Sequence, residues 1–314
     1  MIQVEGLTKY YGPYKAIDSL SFHADPGEVV GFLGPNGAGK TTTMRILTGY
    51  MPANEGKALI AGYDIFEQSL EARRHIGYLP ESVPLYKEMT VWQYVDYMAS
   101  LRGVNANRAD RVDEILEQVG MLDRADSLID SLSKGMRQRV GLAQALVHKP
   151  SVIILDEPTI GLDPRQLTEI RQLIRTIGEH ATVLLSTHIL EEVKAMCSRI
   201  LVINKGRIVA EDNPETLGRQ LQGGERLLVR VGGVKPTEVA KALKTVSGVA
   251  QTSVHEDAVE VVARKGADVR TAVNQFIVAS KGWDLLESKS LDMSLEDIFL
   301  QLTQDNDTAD QEEE

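Results

Sequence analysis

Two rhythms of apolar and polar positions run along the chain. Ile2–Leu7 reads as a strand, and so does part of Ala16–His23. The short apolar run at Glu28–Leu33 enters a glycine-rich loop, and helical spacing follows from Lys40 to Leu47. Residues 82–131 differ, with helical patterns at Thr90–Leu101 and Arg108–Val119 and few strand signals, so they read as a helical insert. A buried strand is expected at Val152–Leu155. Leu167, Ile170, Leu173, Ile174 and Ile177 then mark one face of a helix, and another buried strand follows at Thr182–Leu185. Strands alternating with helices predict an α/β core around a parallel sheet.

A boundary is expected near Gln222-Gly223-Gly224. Beyond it the pattern predicts strand Arg226–Val231, helix Thr237–Thr245, strands Ala250–His255 and Val259–Ala263, helix Val269–Ser280 and strand Trp283–Glu287. That β-α-β-β-α-β order suggests a small α+β ferredoxin-like domain. A last helix, Leu295–Leu302, precedes the end of the chain. The expected division is residues 1–222, 225–303 and a tail of 304–314. A length of 314 residues suits about two domains.

Charge narrows the function. The net charge is −11, and Gln304–Glu314 carries six acids and no base, leaving −5 for the rest. The tail reads as a solvated, disordered end, with an acidic docking tail as the other reading. Neither balance suits a protein that wraps nucleic acid. The single cysteine, Cys197, excludes an intramolecular disulfide and fits a reducing compartment. No apolar run approaches the roughly 20 residues of a membrane span, and the N-terminus lacks the layout of a signal peptide. A cytoplasmic protein is expected, held at a membrane only through something else.

Gly34-Pro35-Asn36-Gly37-Ala38-Gly39-Lys40-Thr41 fits the phosphate-binding P-loop, with Thr42 following. Its glycines let backbone amides approach an anion, and the helix beginning near Lys40 adds its positive end. Lys40 supplies a point charge for the β- and γ-phosphates, and Thr41 a hydroxyl for Mg²⁺. The strand Val152-Ile153-Ile154-Leu155 ends in Asp156-Glu157. Buried acids need partners. Asp156 can face the Mg²⁺, and Glu157 can hold and polarise an attacking water.

Further motifs stand in order: Leu132-Ser133-Lys134-Gly135-Met136-Arg137-Gln138 opening a helix, then Gly161-Leu162-Asp163, then Ser186-Thr187-His188. Over about residues 1–220 this order resembles the ATP-binding subunits of ABC transporters. The resemblance implies a P-loop ATPase of ATP and Mg²⁺ that works as a dimer, likewise with a membrane permease, at the cytoplasmic face of the membrane and without nucleic acid. It implies that Tyr11 stacks on adenine, with Tyr10 the lesser choice. Ser133 and Gly135, with Lys134 and Gln138 in the same segment, would cap the γ-phosphate held by a second subunit. Asp163 would sit at the subunit junction, and His188 would contact the γ-phosphate and position Glu157 or the water.

Two positions depart from the commonest family pattern. Lys134 stands where glycine is frequent, and Glu81, in Tyr78-Leu79-Pro80-Glu81, where glutamine is usual. A carboxylate at Glu81 can still bind Mg²⁺ through oxygen, more strongly than an amide. Both departures resemble the ABC-2 exporter branch, as does Ser294-Leu295-Glu296-Asp297-Ile298-Phe299-Leu300 near the C-terminus. The overall length is most similar to the gliding-motility-associated member of that branch. Val83, Leu85, Tyr86, Met89 and Trp92 offer either a patch for a permease helix or packing within the insert. The rival readings are a soluble ABC ATPase acting in translation, which usually joins two ATPase units in one chain, and a DNA-repair ATPase. The latter needs a coiled-coil insert longer than the stretch from Leu47 to Leu132 allows.

Overall fold

Successive side chains of a strand point to opposite faces, and this sorts Val29–Leu33 into two cores. Val30 and Phe32 join one apolar cluster with Met44, Ile46 and Leu47. Gly31 faces the other way, where a Cβ would stand 2.6 Å from Val193 Cγ1 and 2.9 Å from Cys197 Sγ. Glycine is required there because a helix passes that close. Cys197 is core, and burial pushes its thiol pKa well up, aided by the charge of Glu192.

The computed structural model describes residues 1–214, 216, 226–264 and 267–291. The chain divides after Pro214 into two compact units. In chain order the first unit has β1 (Ile2–Tyr11), β2 (Tyr14–Ala24), β3 (Val29–Leu33), α1 (Lys40–Leu47), β4 (Glu55–Ile60), β5 (Tyr63–Asp64), α2 (Ser69–Arg74) and β6 (Ile76–Leu79). Then come α3 (Val91–Leu101), α4 (Arg108–Gln118), α5 (Lys134–Leu146), β7 (Val152–Asp156), α6 (Pro164–Gly178), β8 (Thr182–Thr187), α7 (Leu190–Met196), β9 (Arg199–Asn204) and β10 (Arg207–Asp212).

The central sheet has the order β10-β9-β3-β8-β7-β6, parallel except for β10. Every residue of β3, β7 and β8 is buried, the signature of a sheet covered on both faces. A second, antiparallel sheet, β2-β1-β4-β5, shares a core with α1 and one face of the central sheet. β1 runs to Tyr11, beyond the expected Leu7, because register shifts carry it past Leu7 without ending the pairing.

The insert is helical as the pattern predicts. Thr90 and Gln93 form a capping box at the start of α3. Arg111 of α4 donates to the carbonyls of Leu146 and Val147, satisfying the otherwise orphaned end of α5. Tyr94 is fully buried and bonds Gln144 of α5.

The second unit has β11 (Arg226–Gly232), α8 (Pro236–Leu243), β12 (Val249–His255), β13 (Ala258–Ala263), α9 (Arg270–Ala279) and β14 (Asp284–Leu291). Its antiparallel order, β12-β13-β11-β14, is that of a ferredoxin-like sheet. Leu227, Val229 and Val231 alternate inward and meet Val239, Leu243, Val273 and Ile277 of the two helices. The expected boundary at 222–224, the helix at 295–302, the segment 294–300 and the tail at 304–314 lie outside the described residues.

Candidate functional site

The P-loop joins the buried end of β3 to α1. Gly39 is the N-cap of α1 at φ +107°, and a Cβ there would stand 2.7 Å from the Ala16 carbonyl oxygen. Only glycine meets both conditions. It offers no side chain to cap α1, so the helix begins with uncapped amides and a positive dipole end, the elements of a phosphate site. Ala38 is buried, and its N–H donates to the Pro35 carbonyl at 3.2 Å.

Lys40 is 6% exposed. Its ammonium donates to the carbonyls of Gly34 (2.8 Å) and Pro35 (3.1 Å) and lies 3.5 Å from Glu157 Oε1. The parallel pairing of β7 with β8 and of β8 with β3 brings Asp156 beside the P-loop. Asp156 Oδ1 accepts from the Thr41 hydroxyl at 3.2 Å and from the Ser186 hydroxyl at 2.6 Å. Burial and the Asp156 charge push the neighbouring Tyr78 phenol up to about 12, so it stays protonated.

Glu157 has φ +50°, an uncommon conformation for a residue with a side chain. Its N–H donates to the carbonyl and hydroxyl oxygens of Ser186, at 3.2 and 3.1 Å, which fixes the turn. The turn aims the carboxylate at His188, whose Nδ1 lies 3.0 Å from Oε2. Because a carboxylate only accepts, this hydrogen bond requires the proton on Nδ1.

A cavity of about 530 Å³ collects these groups. It is lined by Tyr11, Asn36, Gly37, Gly39, Lys40, Thr41, Thr42, Glu81, Glu157 and His188, together with Tyr14, Ala16 and Ile160. The volume suits a small-molecule ligand. Among these described lining residues Lys40 carries the one fixed positive charge. Thr41, Asp156 and Glu81 offer hard oxygen donors, as a magnesium ion shared with phosphates requires.

The family model of the ABC transporter matches residues 17–160. The linearmycin resistance ATP-binding protein of Bacillus subtilis (strain 168) is 31% identical over 312 residues, spanning 96% of this chain and 98% of that protein. The chain belongs to the ATP-binding subunits of ABC transporters. A daunorubicin resistance ATP-binding protein of Streptomyces coeruleorubidus is 36% identical over 309 residues, 96% of this chain and 94% of that protein. A solved ATP-binding cassette dimer in a post-hydrolysis state, bound to ADP and Pi, matches with a TM-score of 0.63 at 26% identity, over 68% of this chain and 99% of that one. This ABC subunit is an ATP hydrolase.

The remaining sequence-derived residues of the ABC subunit form a second group, none of which lines the cavity. Ser133 is the N-cap of α5, its hydroxyl accepting from Met136 N–H at 3.3 Å. Asp163 is the N-cap of α6 in a capping box with Gln166. Gly135 packs against the Gln166 side chain, and the Lys134 side chain lies against Gly161. Gln138 donates to the Pro158 carbonyl at 3.1 Å, tying the group to the loop after Glu157.

Tyr14 escapes a motif reading, and Ser186, though part of the Ser186-Thr187-His188 motif, has no role assigned from sequence. Tyr14 faces Tyr11 across the β1–β2 turn, and its hydroxyl donates to the Gly37 carbonyl at 3.4 Å. The turn residues Gly12-Pro13 were the available signal. Of the proposed permease patch, Tyr86 is 50% exposed. Trp92 instead donates to Asp113 within the insert at 2.8 Å, and Val83 packs near Gly141. Among the described residues no helix is long and apolar enough to cross a membrane.

Proposed function

We propose that this chain powers export of drug molecules through a separate membrane permease, at the cytoplasmic face of the membrane, as a head-to-tail homodimer closing on two ATP molecules. The division of the site carries this reading. Lys40, Thr41, Glu157 and His188 meet in one cavity, while Ser133, Gly135 and Asp163 stand together outside its lining. A helix N-terminus capped by a small hydroxyl residue suits a phosphate bound to another copy.

Within each half-site, Tyr11 contacts the adenine and Lys40 the β- and γ-phosphates. Thr41, Asp156 and Glu81 would hold magnesium, which supplies charge neutralisation at the phosphates. Glu157 takes the proton of the attacking water, and His188 holds the Glu157 carboxylate in place. The names of the relatives, which tie them to linearmycin and daunorubicin resistance, support a drug molecule as cargo, in preference to a role in gliding motility. The acidic net charge disfavours a role on nucleic acid.

The test is purification of Glu157→Gln from gently solubilised membranes with Mg-ATP, followed by mass spectrometry. A stoichiometric multi-span membrane protein is expected. Ribosomes or nucleic-acid proteins in its place would overturn the transporter reading.

A further inference from the structure

Two buried carboxylates lie outside the cavity lining, Asp156 and Glu192, and only Asp156 has a part in the site described above. Glu192 of α7 is 2% exposed. Its Oε2 accepts from the Thr159 hydroxyl at 2.5 Å and from the Thr187 hydroxyl at 2.8 Å. A buried carboxylate is costly without such donors, and an apolar side chain would fill the same space without that cost. The reason for an acid here is therefore sought in what it joins.

Thr159 lies two residues after Glu157, in the loop that leads to Asp163. Thr187 immediately precedes His188, and its hydroxyl oxygen also accepts from Ile189 N–H at 3.1 Å, closing the backbone around the histidine. One carboxylate oxygen thus ties the loop bearing Asp163 to the loop bearing His188. The three consecutive residues Ser186, Thr187 and His188 hold three different acids: Asp156, Glu192 and Glu157.

We propose that Glu192 is a positioning residue that couples the Thr159–Asp163 loop to the His188–Glu157 pair, so that docking of a second subunit on Asp163 sets the geometry for hydrolysis. This rests on the reading that Asp163 stands at the subunit junction. Movement of the Asp163 loop reaches Thr159, passes through Glu192 Oε2 to Thr187, and turns His188 relative to Glu157. The P-loop meets this network through the Gly34 N–H, which donates to the Thr187 carbonyl at 3.3 Å, and through the Lys40–Glu157 pair. Neither contact uses the hydroxyls of Thr159 and Thr187, so removing those hydroxyls leaves nucleotide binding by a single subunit in place.

The decisive variants are Thr159→Val and Thr187→Val, which remove a hydroxyl at nearly constant shape. They keep the test available should Glu192→Ala fail to fold. In each, kcat should fall roughly tenfold, the scale of one lost buried hydrogen bond. ATP-driven dimerisation in a Glu157→Gln background, read by sedimentation, should weaken by a similar factor. Affinity of the monomer for a fluorescent ATP analogue should stay within about twofold. Glu192→Gln, which keeps an acceptor oxygen, should recover most of the kcat lost in Glu192→Ala. Thr159→Val should add little to Glu192→Ala, because both cut one path.

Wild-type kcat and dimerisation in Thr159→Val would overturn the proposal. So would a loss explained entirely by a smaller folded fraction, with normal kcat per folded site. If the Glu157→Gln parent itself stays monomeric with Mg-ATP, the junction reading falls, and the proposal with it. Dimerisation of the parent with an unaffected Thr159→Val partner overturns the Glu192 coupling alone.

Discussion

The Lys40 ammonium stands 3.5 Å from Glu157 Oε1, with both side chains buried at the floor of one cavity. The two residues nevertheless do different work. Lys40→Ala should weaken ATP binding by about tenfold or more, the scale of a lost charge-assisted hydrogen bond. Glu157→Gln should leave ATP affinity within a few-fold and cut turnover by about 10²–10⁴. Equilibrium nucleotide binding and single-turnover hydrolysis separate the two. Near-normal turnover in Glu157→Gln would remove it from the role of base.

Tyr11 and Tyr14 face each other across a turn at the mouth of the cavity. The Tyr11 hydroxyl contacts Met51 Sδ at 3.2 Å, whereas that of Tyr14 reaches the P-loop carbonyl of Gly37. Loss of a ring stacked on a base costs ~1–3 kcal/mol. Tyr11→Ala should therefore weaken ATP binding by about that much and leave inorganic tripolyphosphate binding unchanged. Calorimetry with both ligands decides it, since equal losses would place Tyr11 at the phosphates instead.

These residues show where sequence reading succeeds and why it stops. The P-loop, the Asp156-Glu157 strand end and the insert were legible because each is local: glycine spacing, an apolar run closing in acids, and helical periodicity. The positive φ of Glu157 was not, because it depends on Ser186, 29 residues away in sequence and on a neighbouring strand. Tyr14 and Glu192 were missed for the same reason. A tyrosine beside a turn and a glutamate in a short helix look ordinary until pairing places them. Trp92 read equally as a patch residue or as packing within the insert, and its indole N–H bonds Asp113 of the insert.

Glu81 lines the cavity with a carboxylate. Ligand charge tunes the affinity of hard-cation sites over decades. Glu81→Gln should thus raise the magnesium concentration needed for half-maximal hydrolysis by about an order of magnitude at saturating ATP. A magnesium titration of both proteins measures it, and an unchanged curve would take Glu81 out of the metal site.

His148 gives the fold an acid-sensitive point. Its Nε2 lies 3.0 Å from the Ile76 carbonyl oxygen, and its Nδ1 is buried with no hydrogen-bond partner among the described residues. Burial, with the charges of Arg102 and Arg111, lowers its pKa from 6.5 to about 4. Between those values the unfolded chain holds a proton that the folded chain does not. Stability therefore falls as pH drops through that window and is retained in full above it. Urea unfolding should show a loss on the order of 1–2 kcal/mol between pH 7 and pH 5 from this residue. His148→Gln should flatten the profile by that amount, and parallel profiles would contradict the assignment.

Gly31 links the packing of β3 to the chemistry. A methyl there would press on Val193 and Cys197, on the element that also carries Glu192. Gly31→Ala should cost ~1–3 kcal/mol as overpacking. Because α7 begins two residues after His188, its displacement should also lower turnover per folded molecule. Val193→Ala removes the nearest clashing atom, Cγ1, and should return part of both quantities when combined with Gly31→Ala. The double-mutant cycle should show a favourable coupling of about 0.5–3 kcal/mol in unfolding free energy. Strict additivity would mean that the strain relaxes elsewhere. Recovery of stability without recovery of turnover would mean that α7 does not transmit its position to His188.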